Sequence, residues 1–251
     1  MTQPRAAVAT TTPLSRSLRE GTRHAHRVVE SASFIQGLLR GVVDRRAYAR
    51  LLESLLHVYT ALERALERHR EHPGVRPIYA PALARRDALL ADLAFYDPTG
   101  ALRRGSPSPA TLDYVARLRT LDERAPELLA AHAYTRYLGD LSGGRVLRTL
   151  VARVLQPPPD HGLEFYRFPA IADAAEFKRR FRAGLDAIES SPTRARAIVE
   201  EANRAFAHNH ALFRELEGSA LRTLLRLLRS YPSRQPLDRG GPAHAPTPVR
   251  T

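Results

Sequence analysis

The chain has 251 residues, 43% of them hydrophobic, which is enough for one domain with a real core. It contains no cysteine, which excludes disulfides, thiolate metal sites, iron–sulfur clusters and cysteine nucleophiles; a metal would need His, carboxylate, Tyr or a cofactor. The formal net charge of +13 suggests nucleic acid, but it is spread along amphipathic segments and only one of 39 basic residues is lysine, so an Arg-biased composition accounts for it without such a partner.

Met1 to Pro13 is small and polar, lacks the apolar core of a secretory signal, and is expected to be disordered. A helical stripe then runs through Leu14, Leu18, Thr22, Ala25 and Val29. A second passes through Tyr48, Leu51, Leu52, Leu55, Tyr59, Leu62 and Leu66, and a third through Val146, Leu147, Leu150, Val151 and Val154. Ile198, Ala202, Ala205, Phe206 and Phe213 mark a late helix. No segment sustains period-two alternation, so no sheet is expected. Breaks rich in Gly, Pro and Asp fall at 71–81, 97–109, 139–144 and 157–169. No run of about 18 apolar residues exists to span a membrane, and a cytoplasmic protein is expected. The predicted architecture is all-α, with a single domain over 14–219. Residues 220–251 form a basic amphipathic stretch, Leu221 to Leu228, and a Pro/Gly-rich tail; from Gly218 onward six Arg face one Asp.

Two segments carry chemistry. Taken as one helix, Arg19, Arg23, His26 and Glu30 follow at i, i+4, i+7 and i+11, which puts them on one face. An imidazole that ligates a metal gives its other N–H to a carboxylate, carbonyl or water, and Glu30 is within reach of that role. Arg19 and Arg23 suit two carboxylates of one ligand. The segment alone fits a solvated face with a chance histidine equally well. His24 points roughly opposite and is the weaker candidate. The second segment is Ala131-His132-Ala133-Tyr134-Thr135-Arg136-Tyr137-Leu138-Gly139-Asp140-Leu141-Ser142-Gly143-Gly144. Each Gly costs a helix about 1 kcal/mol relative to Ala. An ordinary turn would not need so much Gly inside apolar helix, so the pattern favours a kink where backbone approaches a ligand.

Together the two segments resemble the haem oxygenases, and the run Ala-Tyr-Thr-Arg-Tyr-Leu-Gly-Asp-Leu-Ser-Gly-Gly is the more specific. The similarity extends from about Leu18 to Leu216, through Leu55-Leu56-His57-Val58-Tyr59, Asp92-Leu93-Ala94-Phe95 and Gly162-Leu163-Glu164-Phe165-Tyr166. The resemblance implies that His26 ligates haem iron. It implies that Gly139, Gly143 and Gly144 lie against the haem face, and that Asp140 organises distal water beside bound dioxygen. Tyr59, Arg136 and Asn209 match that polar network, with Tyr114 a weaker member. Arg19 and Arg23, and a second pair, Lys178 and Arg182, match basic residues near the propionates. Tyr134 would sit at the propionate edge, and Phe206 and Phe213 in the pocket. The chain departs from the mammalian enzymes around Leu83-Ala84-Arg85, where they carry a distal-network histidine and this chain is one residue shorter.

The implied reaction uses haem as both substrate and cofactor. It consumes dioxygen and yields biliverdin, carbon monoxide and ferrous iron, with cleavage expected at the α-meso carbon. Neutral His ligation leaves iron able to bind dioxygen after reduction. The chain has no flavin or nicotinamide fingerprint, so a separate ferredoxin or reductase must supply electrons. An acidic donor would suit the basic surface near Arg19 and Arg23. A monomer without nucleic-acid or membrane partners is expected.

Overall fold

The computed structural model describes residues 12–32, 36–37, 43–188 and 191–230, with side chains as far as residue 216. Among these residues all regular structure is helical. The longest apolar stripe builds the central helix, α3 (Arg45–Arg68), whose N-cap Asp44 accepts the Ala47 N–H at 2.6 Å. Tyr48, Leu52, Val58, Tyr59 and Leu62 on it are fully buried, each contributing about 2 kcal/mol by leaving water. They pack against α4 (Arg86–Tyr96), α6 (Pro109–Arg124) and α10 (Pro192–Ser230). A short α5 (Ala101–Arg104) lies between α4 and α6, and three-residue 3-10 turns stand at Arg76–Ile78, Pro81–Leu83, Pro126–Leu128 and Glu164–Tyr166.

The first stripe does not form one helix. α1 (Leu14–Gly21) and α2 (Arg23–Glu30) meet at Thr22, whose backbone leaves the helical region at φ −106°, ψ 2°. Two side chains explain the bend. Thr22 Oγ1 donates back to the Leu18 carbonyl at 2.7 Å, and Asn203 of α10 donates to the Gly21 carbonyl at 3.1 Å. Gly21 is required by space, since a Cβ there would lie 2.5 Å from Val199 Cγ1. The start of α1 is pinned by Asp186, at the end of α9 (Ala174–Asp186), which accepts from the Ser15 N–H and hydroxyl at 2.8 and 2.9 Å.

The glycine segment also differs from expectation. Residues 139–144 are neither a break nor the kink. They open a regular helix, α8 (Gly139–Leu155), with Gly139 at φ −62°, ψ −51°. The irregularity lies one turn earlier, where α7 (Leu129–Ala133) passes into a π-helical turn over Tyr134–Leu138. The 71–81 and 157–169 breaks do fall between α-helices, whereas the 97–109 break contains the one-turn α5.

Among the described residues no helix is long and apolar enough to cross a membrane. The backbone of α10 continues through Leu221 to Leu228 and ends at Ser230. Of the segments expected to be disordered, Met1 to Pro13 and the tail, residues 1–11 and those beyond Ser230 lie outside the described residues, while Pro13 is the N-cap of α1.

Candidate active site

A cleft of about 1100 Å³ opens between α1–α2 on one side and the π turn with α8 on the other, floored by α3, α10 and the Glu164–Tyr166 turn. Its walls are apolar: Leu51, Leu55, Leu138, Leu147, Phe206 and Phe213 all face it. Val146, an intended core residue of the third stripe, is 60% exposed because this stripe turns partly toward the cleft.

His26 lines one side. Its Nδ1 lies 3.4 Å from Glu30 Oε2, the carboxylate one turn on, and its ring meets Phe206 edge to face at 5.7 Å. The carboxylate and Phe206 restrict the ring, leaving Nε2 as the nitrogen available to a metal. His24 does not line the cleft. The bend at Thr22 leaves Arg19, Arg23 and His26 all on the cleft despite falling on two helices.

Across the cleft, Gly139 and Gly143 present bare backbone. A Cβ added at either would meet nothing within 4 Å, so each would project into open space. That is a surface shaped for close approach of a flat group. Gly144 is placed differently from expectation: it does not line the cleft, and its absent Cβ would face the Tyr166 ring at 3.6 Å. It serves helix packing against the Glu164–Tyr166 turn instead.

Between these sides sits a buried polar network. Tyr59 donates to Asp140 Oδ2, Arg136 Nε donates to the Tyr59 oxygen at 3.1 Å, and Arg136 Nη1 donates to Asn209 Oδ1 at 2.7 Å. Arg136 Nη2 also lies 3.5 Å from Asp140 Oδ1. Burial raises the Asp140 carboxyl above its ordinary range, opposed by Arg136 and by the Tyr59 hydrogen bond. Burial likewise holds Tyr59 well above the usual phenol range. For Arg136 burial acts downward, and Tyr59 and Asp140 more than offset it, so the guanidinium stays charged.

Tyr134 stands at the basic edge. Burial raises its phenol, against a hydrogen bond to Thr22 and the charges of Arg182 and Arg19. Arg182 lines the cleft with Arg19 and Arg23. Lys178 does not line it; its ammonium donates to Ser142 Oγ at 3.4 Å, on the α8 side. Tyr114 belongs to a different cluster. Its hydroxyl meets His132 Nδ1 at 3.2 Å, His132 Nε2 meets Glu201 Oε1 at 2.9 Å, and Glu201 binds Arg117 through Nε at 2.9 Å. The Tyr114 ring stacks on His208 at 4.8 Å. Nothing in the local sequence marks this cluster, because its members come from three helices.

The residues present fit haem: an imidazole, an apolar cleft, a Cβ-free helix face and three guanidiniums at one edge. Fold and site define an all-α protein with a large, mainly apolar cleft, basic at one edge, between an imidazole and a buried carboxyl. The comparisons with known proteins agree. The haem oxygenase family model matches residues 12–215. Heme oxygenase from Pyropia yezoensis is 42% identical over 215 residues, covering 86% of this chain and 90% of the relative. Heme oxygenase 1 from Synechocystis sp. is 39% identical over 211 residues, covering 84% and 88%. Among solved structures, heme oxygenase from Leptospira interrogans is 42% identical with a TM-score of 0.79, covering 81% of this chain and all of that one. Heme oxygenase-1 from Synechocystis sp. PCC6803 in complex with heme is 38% identical with a TM-score of 0.82, covering 87% and 98%. The chain belongs to the haem oxygenase family, enzymes that degrade haem.

Proposed function

We propose that this chain binds haem in the cleft through His26 and opens it, with dioxygen and externally supplied electrons, to biliverdin, carbon monoxide and ferrous iron. The observation that carries this reading is the opposition of His26 to the bare Gly139–Gly143 face, with the Asp140 carboxyl buried beside it. When bound and reduced, haem supplies the dioxygen-binding iron and the ring that is oxidised. The protein's part is positional and electrostatic. His26, oriented by Glu30, holds the iron. With no Cβ at Gly139 and Gly143, this face of α8 would let a flat ring approach closely.

Asp140 holds distal water and moves protons through it. Burial raises its carboxyl above the ordinary range, which favours its taking up a proton from that water. Tyr59, Arg136 and Asn209 fix its orientation. Arg19, Arg23 and Arg182 hold the propionates, with Tyr134 beside them and Lys178 near the mouth, an arrangement that favours the α-meso carbon. Electrons come from a separate ferredoxin or reductase docking on the basic face around Arg19 and Arg23. The protein works as a cytoplasmic monomer over a domain of about residues 14–219, with no flavin or nicotinamide of its own.

The test is direct. Purified protein with haem, a ferredoxin system and air should lose its Soret band and yield one verdin isomer. A stable oxygenated complex that never loses that band would show a haem carrier instead.

A further inference from the structure

Two buried charges in this chain are not spent on a counter-ion, and both are directed at the same short turn. Asp92 on α4 is wholly buried, and its two oxygens accept the N–H groups of Glu164 and Phe165 at 2.8 and 2.9 Å. Arg85, just before α4, is 5% exposed. Its Nη1 donates to the carbonyls of Phe165, at 3.3 Å, and Arg167, while Nε donates to Leu83 at 3.2 Å. The guanidinium carbon lies over the Phe168 ring, 3.8 Å from its centre. Glu63 of α3 fixes the approach by accepting the Arg85 N–H at 2.5 Å. Among the described residues neither Arg85 nor Asp92 is in a salt bridge. The Glu164–Tyr166 turn is thus held through two of its N–H groups by Asp92, and through the Phe165 carbonyl and that of Arg167 just after it by Arg85.

That turn is part of the site. Phe165 meets the Tyr59 ring edge to face at 5.7 Å, and the Tyr166 hydroxyl lies 3.3 Å from that of Tyr48. Both Phe165 and Tyr166 line the cleft. Tyr59 is the group that donates to Asp140. We propose that Arg85 and Asp92 are positioning residues: by clamping the Glu164–Tyr166 turn they set, through Phe165, where the Tyr59 phenol and therefore the Asp140 carboxyl stand.

The chemistry of the pair supports a positional use. Neutral side chains could satisfy a surface turn, whereas burying two charges is costly unless their hydrogen bonds are fully used. A carboxylate gripping two adjacent N–H groups, and a planar guanidinium whose Nη1 serves two carbonyls while its Nε serves a third, both fix direction as well as distance. Burial raises Asp92 to about 6, partly offset by the two N–H bonds, and lowers Arg85, whose charge is supported by Tyr59 and Asp140.

This inference concerns how the cleft is held, and its effect on turnover rests on the haem reading above. The full chain, haem-free, is labelled with ¹³C at the tyrosine ring carbon bearing oxygen. The Tyr59 and Tyr114 resonances are identified with Tyr59→Phe and Tyr114→Phe. Arg85→Gln and Asp92→Asn should each shift the Tyr59 resonance and leave Tyr114, in the His132 cluster, where it was. With haem added, affinity should stay within about threefold while verdin formation falls by about tenfold, because proton delivery is misaligned and binding is not. Arg85→Lys, which keeps the charge but has one nitrogen in place of the planar group's Nη1 and Nε, should fall between. An unmoved Tyr59 resonance would overturn the proposal. So would movement of all tyrosine resonances together, which would show a merely structural role. The resonance shift is read without haem, so it stands or falls independently of the haem reading.

Discussion

At Asp140 two demands oppose one another. The carboxyl must stay close enough to ionisation to pass protons, yet it sits buried among apolar walls that favour its neutral form. Arg136 and the Tyr59 hydrogen bond oppose that shift toward the neutral form. Asp140→Ala should therefore leave haem affinity within about threefold of the parent but cut verdin yield by about tenfold or more, the range general acid–base groups supply. Asp140→Asn, which still accepts from Tyr59, should retain part of the yield. If Asp140 only stabilised the helix, the Ala variant would melt earlier, by about 1 kcal/mol of stability, and still make verdin at the parental rate. Melting temperature, haem titration and verdin chromatography on one preparation separate the two. His26 behaves in the opposite way. His26→Ala should keep residual binding from the apolar walls and guanidiniums, lose the His-ligated absorption spectrum and turnover, and regain part of both with added imidazole. A larger effect from His24→Ala would mean that the wrong histidine carries the iron.

The elements show why some of the site was readable and some was not. Glu30 could be placed beside His26 from spacing alone because both lie within α2, and i to i+4 geometry is local. The bend at Thr22 could not, since it depends on Asn203 and Val199 from α10, some 180 residues along the chain. The glycine run signalled an unusual helix correctly but misplaced its irregularity. Glycine signals only what backbone can do, while the π turn over Tyr134–Leu138 arises where Thr135 bonds back to Ala131 and Arg136 must reach Tyr59 and Asn209. Gly139 and Gly143 are thus present for space rather than bending. Replacing either with Ala should raise helix stability by about 1 kcal/mol, a gain of roughly 2–4 °C in Tm for a chain of this size. The same methyl should obstruct the flat ligand and weaken haem binding by about tenfold or more, as overpacking does. Calorimetry of the haem-free chain and haem titration of both variants test this. A variant no more stable than the parent, with parental haem affinity, would remove the spatial role.

For the whole molecule, the helical class and the core were legible because α3 carries an unbroken apolar stripe, whereas the convergence of eight elements on one cleft was not. Position in that cleft now distinguishes charges that looked equivalent as a pair: Arg182 lines it and Lys178 is turned to Ser142. Arg182→Ala should thus account for most of the mixed verdin isomers expected when both residues become Ala, and a single unchanged isomer from the double variant would show that Arg19 and Arg23 alone orient the ring. The buried His132–Glu201–Arg117 cluster makes a claim about the fold as a unit, because it joins α6, α7 and α10. Burial lowers His132, so the folded state resists protonating it and stability falls as pH drops below the ordinary imidazole value of 6.5. Glu201 is driven upward by burial but held below its ordinary range by hydrogen bonds from His132 and Arg117. Its contribution is complete above its unfolded value of 4.5 and is lost as pH falls further. Asp92 has the opposite sign: with a folded value of about 6 against 3.8 unfolded, it takes up its proton first in the folded state and offsets part of the loss between those limits. The steep part of acid unfolding should therefore begin below about pH 4.5. Over the next unit or so one extra proton is bound on unfolding, a slope of about 1.4 kcal/mol per pH unit. Glu201→Gln should be less stable at neutral pH, because Arg117 and His132 lose a charged partner, and shallower by about that slope between pH 4.5 and 3. Urea unfolding of the haem-free chain across this range measures both, and an unchanged slope in Glu201→Gln would assign acid sensitivity to carboxylates elsewhere in the chain.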